Sequence, residues 1–152
     1  MQRNTWIVLL LGLVTIPVLA CGGNSASAAS KEPPPAKVEK IEGTSLSRVI
    51  VTEKGAARLG IEMTSVRDTQ VSRRGSPGTE TRRVVPYASV LYDPNGDTWA
   101  YTSPAPLTFV RQRIVVDYIV GGLAVLSDGP PLGTGVVTVA ATELFGAETG
   151  IK

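Results

Sequence analysis

The sequence contains no histidine and only one cysteine, Cys21, among its 152 residues. The commonest general base and the usual zinc ligands are therefore scarce, and no disulfide can form within the chain. Aromatic residues make up 5% of the chain, and 15 Lys and Arg oppose 13 Asp and Glu. So small an excess of positive charge gives no strong field for attracting nucleic acid or anionic lipid. We therefore expect no catalytic residue, no metal site, no cofactor and no nucleic-acid partner.

One long apolar run is present, at the N-terminus. A polar start with one positive charge, Arg3, precedes about 14 apolar residues from Trp6, fewer than the roughly 20 that a membrane-spanning helix needs. The run ends on Val18-Leu19-Ala20-Cys21, which is typical of a bacterial lipoprotein signal with a small residue at the cleavage position. We predict a lipoprotein signal peptide at residues 1–20 and lipidation of Cys21. The alternative is an uncleaved N-terminal anchor with Cys21 as an ordinary thiol.

Lipidation at this position would place the mature chain on the outer face of the cytoplasmic membrane or at the cell surface, with membrane lipid bound through Cys21. Residues 21–45 are small and polar and include Pro33-Pro34-Pro35. Such a segment cannot bury much apolar surface, so it is expected to be a disordered tether. The remaining residues, 46–150, suit one domain with a modest core.

The chain contains sixteen glycines and eleven prolines, and residues 46–150 fall into short segments rich in Val and Thr. That pattern predicts a mainly β fold, a single small domain built on an antiparallel sheet or partly open barrel with one or two short helices. Residues 107–120 suit either two strands or one long bent strand. The other strands are expected at residues 46–51, 61–66, 85–92, 98–102, 123–127 and 136–139. The aromatic residues on these strands are expected in the core or in cross-strand pairs: Tyr92, Trp99, Tyr101 and Tyr118.

Two helical segments are predicted. In residues 52–60, Thr52 can cap the first free amide groups and Gly60 can supply the left-handed end. Residues 140–145 can make a single helical turn that Gly146 stops. The core-facing residues of the first helix are expected to be Ala56 and Leu59.

Residues 67–83 lose the strand pattern and are predicted to form a flexible loop. The segment contains five arginines, which would suit a nucleic-acid or anionic-lipid patch. It has no interleaved aromatic residues and lies on no helix face, so the favoured reading is a solvated loop.

A hairpin tip is the clearest turn in the chain. In Asp93-Pro94-Asn95-Gly96-Asp97, proline presets a turn φ and Asn-Gly accepts positive φ, so the flanking strands should fold back on each other. Asp93, Asn95 and Asp97 also have the first spacings of a calcium loop. Glycine at the fourth position and Pro104 at the place of the bidentate glutamate disfavour calcium.

Three segments, read in order, resemble a known family. Residues 84–101 contain Val85-Pro86-Tyr87 and Trp99-Ala100-Tyr101, and residues 114–144 contain Gly121-Gly122-Leu123 and Val136-Val137-Thr138-Val139. With residues 52–66, these are similar to the membrane-proximal domain of periplasmic adaptor subunits, or membrane fusion proteins, of tripartite RND-type efflux systems. Full-length adaptors insert a barrel, a lipoyl-like domain and a helical hairpin where this chain has only residues 67–83.

The resemblance implies a lipid-anchored, non-enzymatic accessory or reduced adaptor of an efflux transport system. Such a protein would contact an inner-membrane transporter or a full-length adaptor. We expect that contact at a sheet edge or at the hairpin tip, through Asp93, Asn95, Gly96 and Asp97. The alternatives are a small ligand-binding lipoprotein, a structural envelope lipoprotein, or a remnant of a full adaptor.

Overall fold

A computed structural model describes residues 34–150. The predicted signal peptide, Cys21 and the first part of the predicted tether lie outside this range. The strands are β1 Ala36–Lys40, β2 Ser47–Val51, β3 Glu62–Ser65, β4 Arg67–Val71, β5 Glu80–Pro86, β6 Leu91–Tyr92, β7 Thr98–Ala105, β8 Thr108–Val120, β9 Leu123–Asp128 and β10 Gly135–Val139. The helices are α1 Glu53–Leu59 and α2 Ala141–Thr149, and a 3₁₀ turn spans Tyr87–Ser89.

The ten strands of residues 34–150 form one antiparallel sheet that curls into a half-barrel with two short helices. The main path runs β3, β10, β7, β8, β9, β5, β4, while β1 and β2 join at β8 and β6 pairs with β7. The predicted mainly β fold class is therefore confirmed.

The long strand β8 produces the curl. Its first half pairs with β2 and β7, and its second half pairs with β9. The register between β8 and β9 shifts between Val115 and Tyr118, where extra residues are left without an opposite partner. Such irregularities bend a strand and increase its twist, so β8 can belong to both halves of the sheet. Of the two readings left open by the sequence, one long bent strand is correct.

The core consists of three apolar clusters along the inner side of the sheet. One lies between the sheet and α2 and contains Val49, Tyr101, Phe109, Val137 and Leu144. The second is formed around Ile114 and Val136, and the third around Val84 and Val125. Their members come from strands that are distant in sequence, so the strand pairings and the core stabilise each other.

The predicted tether is wrong for residues 36–40, which form β1. Every residue of β1 pairs with β2, from Ala36 opposite Val51 to Lys40 opposite Ser47. The strand buries little apolar surface, since Val38 remains 41% exposed. Backbone hydrogen bonds to β2 hold it in place, and these leave almost no hydrophobic pattern in the sequence.

The predicted flexible loop at residues 67–83 is also mostly wrong. Arg67–Val71 and Glu80–Pro86 pair as a hairpin, from Arg67 opposite Val84 to Val71 opposite Glu80. Only residues 72–79 lie between the strands. Strand β4 is an edge strand with one buried side chain, Val71, so alternation of apolar and polar residues is nearly absent from it.

Both predicted caps of the first helix are confirmed, whereas its core-facing residues and the end of the second helix were predicted wrongly. Thr52 Oγ1 accepts the Gly55 amide at 3.0 Å, and Gly60 adopts φ +61°. The buried residue of α1 is Gly55, whereas Leu59 is 37% exposed. The Cβ of a larger residue at Gly55 would lie 2.5 Å from the Pro35 carbonyl oxygen, so only glycine permits this approach of α1 to the chain before β1.

Helix α2 continues through Gly146 and ends at Gly150.

The strand expected at residues 85–92 is interrupted. Strand β5 ends at Pro86, the 3₁₀ turn Tyr87–Ser89 follows, and only Leu91–Tyr92 pairs with β7. The buried hydroxyl of Ser89 donates to the Pro86 carbonyl at 2.7 Å, and the Val90 amide donates to the Tyr87 carbonyl at 3.0 Å. The break moves the chain from one half of the sheet to the other.

Candidate functional site

The hairpin tip predicted to bind a partner is a rigid turn. Asp93 Oδ1 accepts the amides of Asn95 at 2.9 Å and Asp97 at 3.0 Å, and Asp93 Oδ2 accepts Trp99 Nε1 at 3.1 Å. Partial desolvation acts to raise the pKa of Asp93, but several hydrogen bonds together outweigh it and lower that pKa. The strongest of these bonds comes from the Asp97 backbone. The carboxylate of Asp93 is therefore engaged in holding the turn.

The second carboxylate of the tip is also paired. Asp97 Oδ1 lies 2.5 Å from Arg113 Nη2 on β8. Within residues 34–150, no group of three potential His, Cys, Asp or Glu metal ligands occurs. The groups that remain free to meet a partner at the tip are the exposed Pro94, Asn95 and Gly96.

Two exposed tyrosines lie beside this turn. Tyr92 directly precedes Asp93 and is 52% exposed, and Tyr87 on the 3₁₀ turn is 43% exposed. A hydrogen bond with the Tyr87 side chain, followed by partial burial, raises the pKa of Tyr92. Of the two placements expected for the strand aromatics, Tyr92 takes the cross-strand one, because it lies opposite Thr98 in the β6–β7 pair and not in the core. Tyr87, Tyr92 and residues 94–96 are called the tyrosine surface below.

Neither tyrosine could have been placed on this surface from its spacing in the sequence. Period-two alternation puts Tyr92 on the same face as Val90, which is half-buried against the core. The interruption at Tyr87–Ser89 resets the alternation before β6 begins. Pro86 is the local signal of that interruption, because proline has no amide to donate to a strand ladder.

A second polar cluster forms where the β4–β5 hairpin meets β8. Asp117 accepts Arg73 Nη2 on Oδ1 at 2.6 Å and Arg82 Nη2 on Oδ2 at 3.0 Å. Glu80 accepts Arg82 Nη1 at 2.9 Å and the Tyr118 hydroxyl at 3.3 Å. Hydrogen bonds from Arg73 and then Arg82 lower the pKa of Asp117. These five residues are called the arginine patch.

Tyr118 supplies the aromatic ring that the sequence of residues 67–83 lacks. The guanidinium carbon of Arg73 lies 4.3 Å from the ring centroid of Tyr118, and that of Arg82 lies 6.0 Å away. The sequence could not place this ring, because Tyr118 lies on a strand far along the chain. Most of the arginine-rich segment is thus an ordered hairpin in which Arg73 and Arg82 are ion-paired, and only residues 72–79 form a loop.

An open cleft of about 410 Å³ adjoins the arginine patch. It is lined by the end of the β4–β5 hairpin and by the end of β8: Arg73, Arg74, Tyr118, Ile119, Val120 and Gly121. Ile119 is 47% exposed there. The Tyr87 amide donates to the Gly122 carbonyl at 2.8 Å, so the cleft and the tyrosine surface meet at the Gly121-Gly122 turn.

A third cluster is buried between the sheet and α2. Arg111 Nε lies 2.9 Å from Glu148 Oε2 without the alignment of a hydrogen bond, and the Tyr101 hydroxyl donates to the same oxygen. Burial, and then the bond to Glu148, raises the pKa of Tyr101 above its usual range. The guanidinium carbon of Arg111 lies 4.8 Å from the Trp99 ring centroid and 5.1 Å from that of Phe145. This cluster attaches α2 to the sheet and is closed to a partner.

An apolar groove of about 310 Å³ lies between β1, α1 and α2. Its apolar lining consists of Pro35, Ala36, Val51, Gly55, Leu59 and Ala147, with Arg58 and Glu143 as the charged residues.

The outer edges of the sheet are poorly suited to adding a partner strand. At the ends of the main path lie β3, with four residues, and β4, with five. Glu62 on β3 and Arg67 and Asp68 on β4 carry exposed charges. Short, charged edges are the usual protection against pairing with another chain. These two ends of the sheet therefore offer little free backbone for a partner strand.

No protein-family model and no curated protein sequence matches this chain. The resemblance to adaptor subunits accordingly stays a prediction from the residues quoted above. Neither helix within residues 34–150 has the length and apolar character needed to cross a bilayer.

Proposed function

We propose that this protein is a lipid-anchored, non-enzymatic accessory or reduced adaptor of an efflux transport system. Cys21 would hold it on the outer face of the cytoplasmic membrane, and the tyrosine surface would bind a transporter or a full-length adaptor. The observation that carries the proposal is the exposed pair Tyr87 and Tyr92 beside a turn that is already ordered.

Tyrosine is enriched at protein interfaces, because its ring buries a large area and its hydroxyl keeps a polar contact. The turn needs little ordering on binding, since Asp93 already holds its backbone. The lack of histidine and the absence of a three-ligand cluster in residues 34–150 agree with a role in binding.

The anchoring half of the proposal is tested by Cys21→Ser. The full chain should move from the membrane to the soluble fraction, and metabolic labelling with a fatty-acid analogue should mark only the wild type. Two or three acyl chains would hold the protein essentially permanently, because each buried methylene contributes about 0.8 kcal/mol. Equal labelling of both proteins would refute lipidation at Cys21.

The binding half is tested by copurification from detergent-solubilised membranes. The double variant Tyr87→Ser, Tyr92→Ser should recover about tenfold less of a transporter permease or full-length adaptor than the wild type, as expected for two interface anchors. The matched control Val38→Ser, Leu132→Ser also removes two half-exposed apolar side chains, from β1 and from the β9–β10 connection. Equal losses in both variants, or no such partner from the wild type, would contradict the proposal.

The groove between β1, α1 and α2 favours a second candidate, a small ligand-binding lipoprotein. Its nearly continuous apolar lining suits an aliphatic ligand. A fluorescent fatty-acid analogue should then bind the wild type and fail to bind a groove-filling variant, Ala147→Leu. Failure of the wild type to bind the probe would remove this candidate.

A further inference from the structure

The arginine patch and its loop carry more positive than negative charge. Arg73, Arg74 and Arg82 contribute three guanidinium groups, against the two carboxylates of Glu80 and Asp117. Both oxygens of Asp117 are already used. Arg74 is exposed and forms no ion pair with any of residues 34–150. One cation therefore lacks a carboxylate, and Arg73 keeps further N–H donors for an incoming anion.

An exposed aliphatic side chain adjoins these cations. Ile119 lines the same cleft as Arg73 and Arg74, and nearly half of its surface is open. The turn that follows, Gly121-Gly122, is also exposed. Cations next to a protruding apolar side chain suit the interface of a bilayer, where phosphates lie just outside the acyl chains.

We propose that this cleft is a membrane-contact surface. Arg73 and Arg74 would bind the phosphate groups of anionic lipids, and Ile119 would enter the interface beside them. The proposal deepens the proposed function and relies on it for the location of the protein at a membrane. The cleft would be the side of the domain that faces the lipid, whereas Cys21 would supply only the attachment.

The same chemistry is less suited to nucleic acid. A basic surface binds single strands by offering open aromatic faces to the bases, and here the guanidinium of Arg73 covers one face of Tyr118 at 4.3 Å. Ile119 offers no ring for stacking.

Weak lipid binding by the cleft is enough to orient the domain if Cys21 is lipidated. From Cys21 to Pro34 the chain can extend about 40 Å, at roughly 3.3 Å per residue. A domain on so short a tether has a high effective concentration at the membrane, so a few contacts can fix its orientation. Because Tyr87 is bonded to Gly122, lipid contact at this turn would hold the tyrosine surface close to a membrane-embedded partner.

The test uses a chain that starts at residue 22, which carries no lipid. All strands and helices described here begin at or after Ala36, so this chain keeps the whole sheet. Its binding to vesicles of phosphatidylcholine, with and without phosphatidylglycerol, is measured by cosedimentation. We expect measurable binding only with phosphatidylglycerol, falling about fivefold in Arg74→Gln and severalfold in Ile119→Ser.

The matched control is Arg58→Gln, which removes one exposed positive charge on α1 and should change binding less than twofold. Circular dichroism checks that each variant is folded. Equal binding to both vesicle types, or equal effects of Arg58→Gln and Arg74→Gln, would overturn the proposal.

Two further measurements distinguish anionic lipid from other ligands that contain phosphate. If a labelled single-stranded oligonucleotide binds in an Arg74-dependent manner and the anionic vesicles do not, the surface is for nucleic acid and the proposal fails. If inorganic phosphate shifts the NMR signals of Tyr118 and no vesicle is bound, the ligand is a free anion and the proposal also fails. Because the tested chain lacks Cys21 and needs no protein partner, failure here leaves the proposed function to its own experiments.

Discussion

Ala140, the residue just before α2, is one of two residues other than glycine within residues 34–150 that have a positive φ. It adopts φ +70° at the position before the helix, in the left-handed region that disfavours a residue with a Cβ. Its backbone carbonyl accepts the Leu144 amide at 3.1 Å, so the conformation is tied to the start of the helix. The strain is the consequence of joining β10 to α2 without an intervening turn.

We expect Ala140→Gly to stabilise the protein by about 0.5–1 kcal/mol, since relief of the strain exceeds the added freedom of the unfolded chain. Chemical denaturation measures the change. The control Ala147→Gly, at an exposed position within α2, should destabilise by about 1 kcal/mol. Destabilisation of similar size by both substitutions would show that Ala140 is not strained.

The lowered pKa of Asp117 predicts how the stability of the arginine patch depends on pH. Its pKa in the folded protein is lowered, first by the hydrogen bond from Arg73 and then by that from Arg82. A carboxyl with a lowered folded pKa contributes stability above its unfolded value, near 3.9, and loses that contribution as the pH falls through the folded value. The arginine patch should therefore loosen only in acid, below about pH 4.

NMR titration of the Asp117 carboxyl should give a midpoint below the ordinary value for aspartate. Arg73→Gln should raise that midpoint, and Arg58→Gln, on a different element, should leave it unchanged. A midpoint that Arg73→Gln does not move would show that the two groups are not paired in solution.

At the scale of elements, α2 depends on one buried ion pair. The side chain of Glu148 is 3% exposed and that of Arg111 is 13% exposed. The Ser47 amide also donates to Glu148 Oε1 at 3.3 Å, so α2 is bonded to β2 as well as to β8. Loss of the carboxylate would leave a buried guanidinium without an opposite charge.

We expect Glu148→Gln to reduce the free energy of unfolding by about 3 kcal/mol. The matched control is Arg113→Gln, which breaks the exposed pair with Asp97 and should cost under about 1 kcal/mol. Urea denaturation of both variants measures the difference. Equal costs would mean that the Glu148 cluster contributes no more than a surface pair.

The β4–β5 hairpin predicts where a protease cuts. Arg82 and Arg83 are paired with Thr69 and Asp68 within the hairpin, whereas Arg73 and Arg74 lie in the connecting loop. Limited trypsin digestion should therefore cut first after Arg73 or Arg74, with the two fragments remaining associated through the β4–β5 hydrogen bonds. Early cutting after Arg82 or Arg83 would instead show that residues 67–83 form the flexible loop predicted from the sequence.

The elements that the sequence predicts well are those with a strong local signal. The Asp93–Asp97 turn, the caps Thr52 and Gly60 and the Gly121-Gly122 turn depend on backbone conformations that few residue types favour. The edge strands β1 and β4 carry no such signal, because backbone hydrogen bonds hold them with little apolar burial. The length of α2 was missed because tertiary packing of Leu144 and Glu148 outweighs the low helix propensity of Gly146.

The candidate surfaces could be predicted only in part, because they too depend on contacts that leave no local pattern in the sequence. The sequence places the hairpin tip, but not the pairing of its carboxylates with the Asn95 and Asp97 amides and with Arg113. The arginine patch depends on side-chain hydrogen bonds between β5 and β8, two strands that lie on either side of β9. No local pattern in residues 67–83 could reveal Tyr118.

For the whole molecule, the two surfaces and the proposed anchor give a consistent arrangement. The cleft at Arg73, Arg74 and Ile119 would face the lipid, and the tyrosine surface would begin at the adjoining Gly121-Gly122 turn. The balanced charge of the chain implies that apolar and hydrogen-bonded contacts, more than long-range attraction, would determine binding to a transporter.

The proposed function requires that the tyrosine surface touch a transport protein at the membrane. The most direct measurement places a photoreactive amino acid at position 92 of the full chain in native membranes and identifies the crosslinked protein by mass spectrometry. The control places the same group at Thr142, an exposed position on α2. The account predicts crosslinks to a transporter permease or a full-length adaptor from position 92 and none from position 142. Crosslinks to the protein itself alone, or equal yields from both positions, would contradict it.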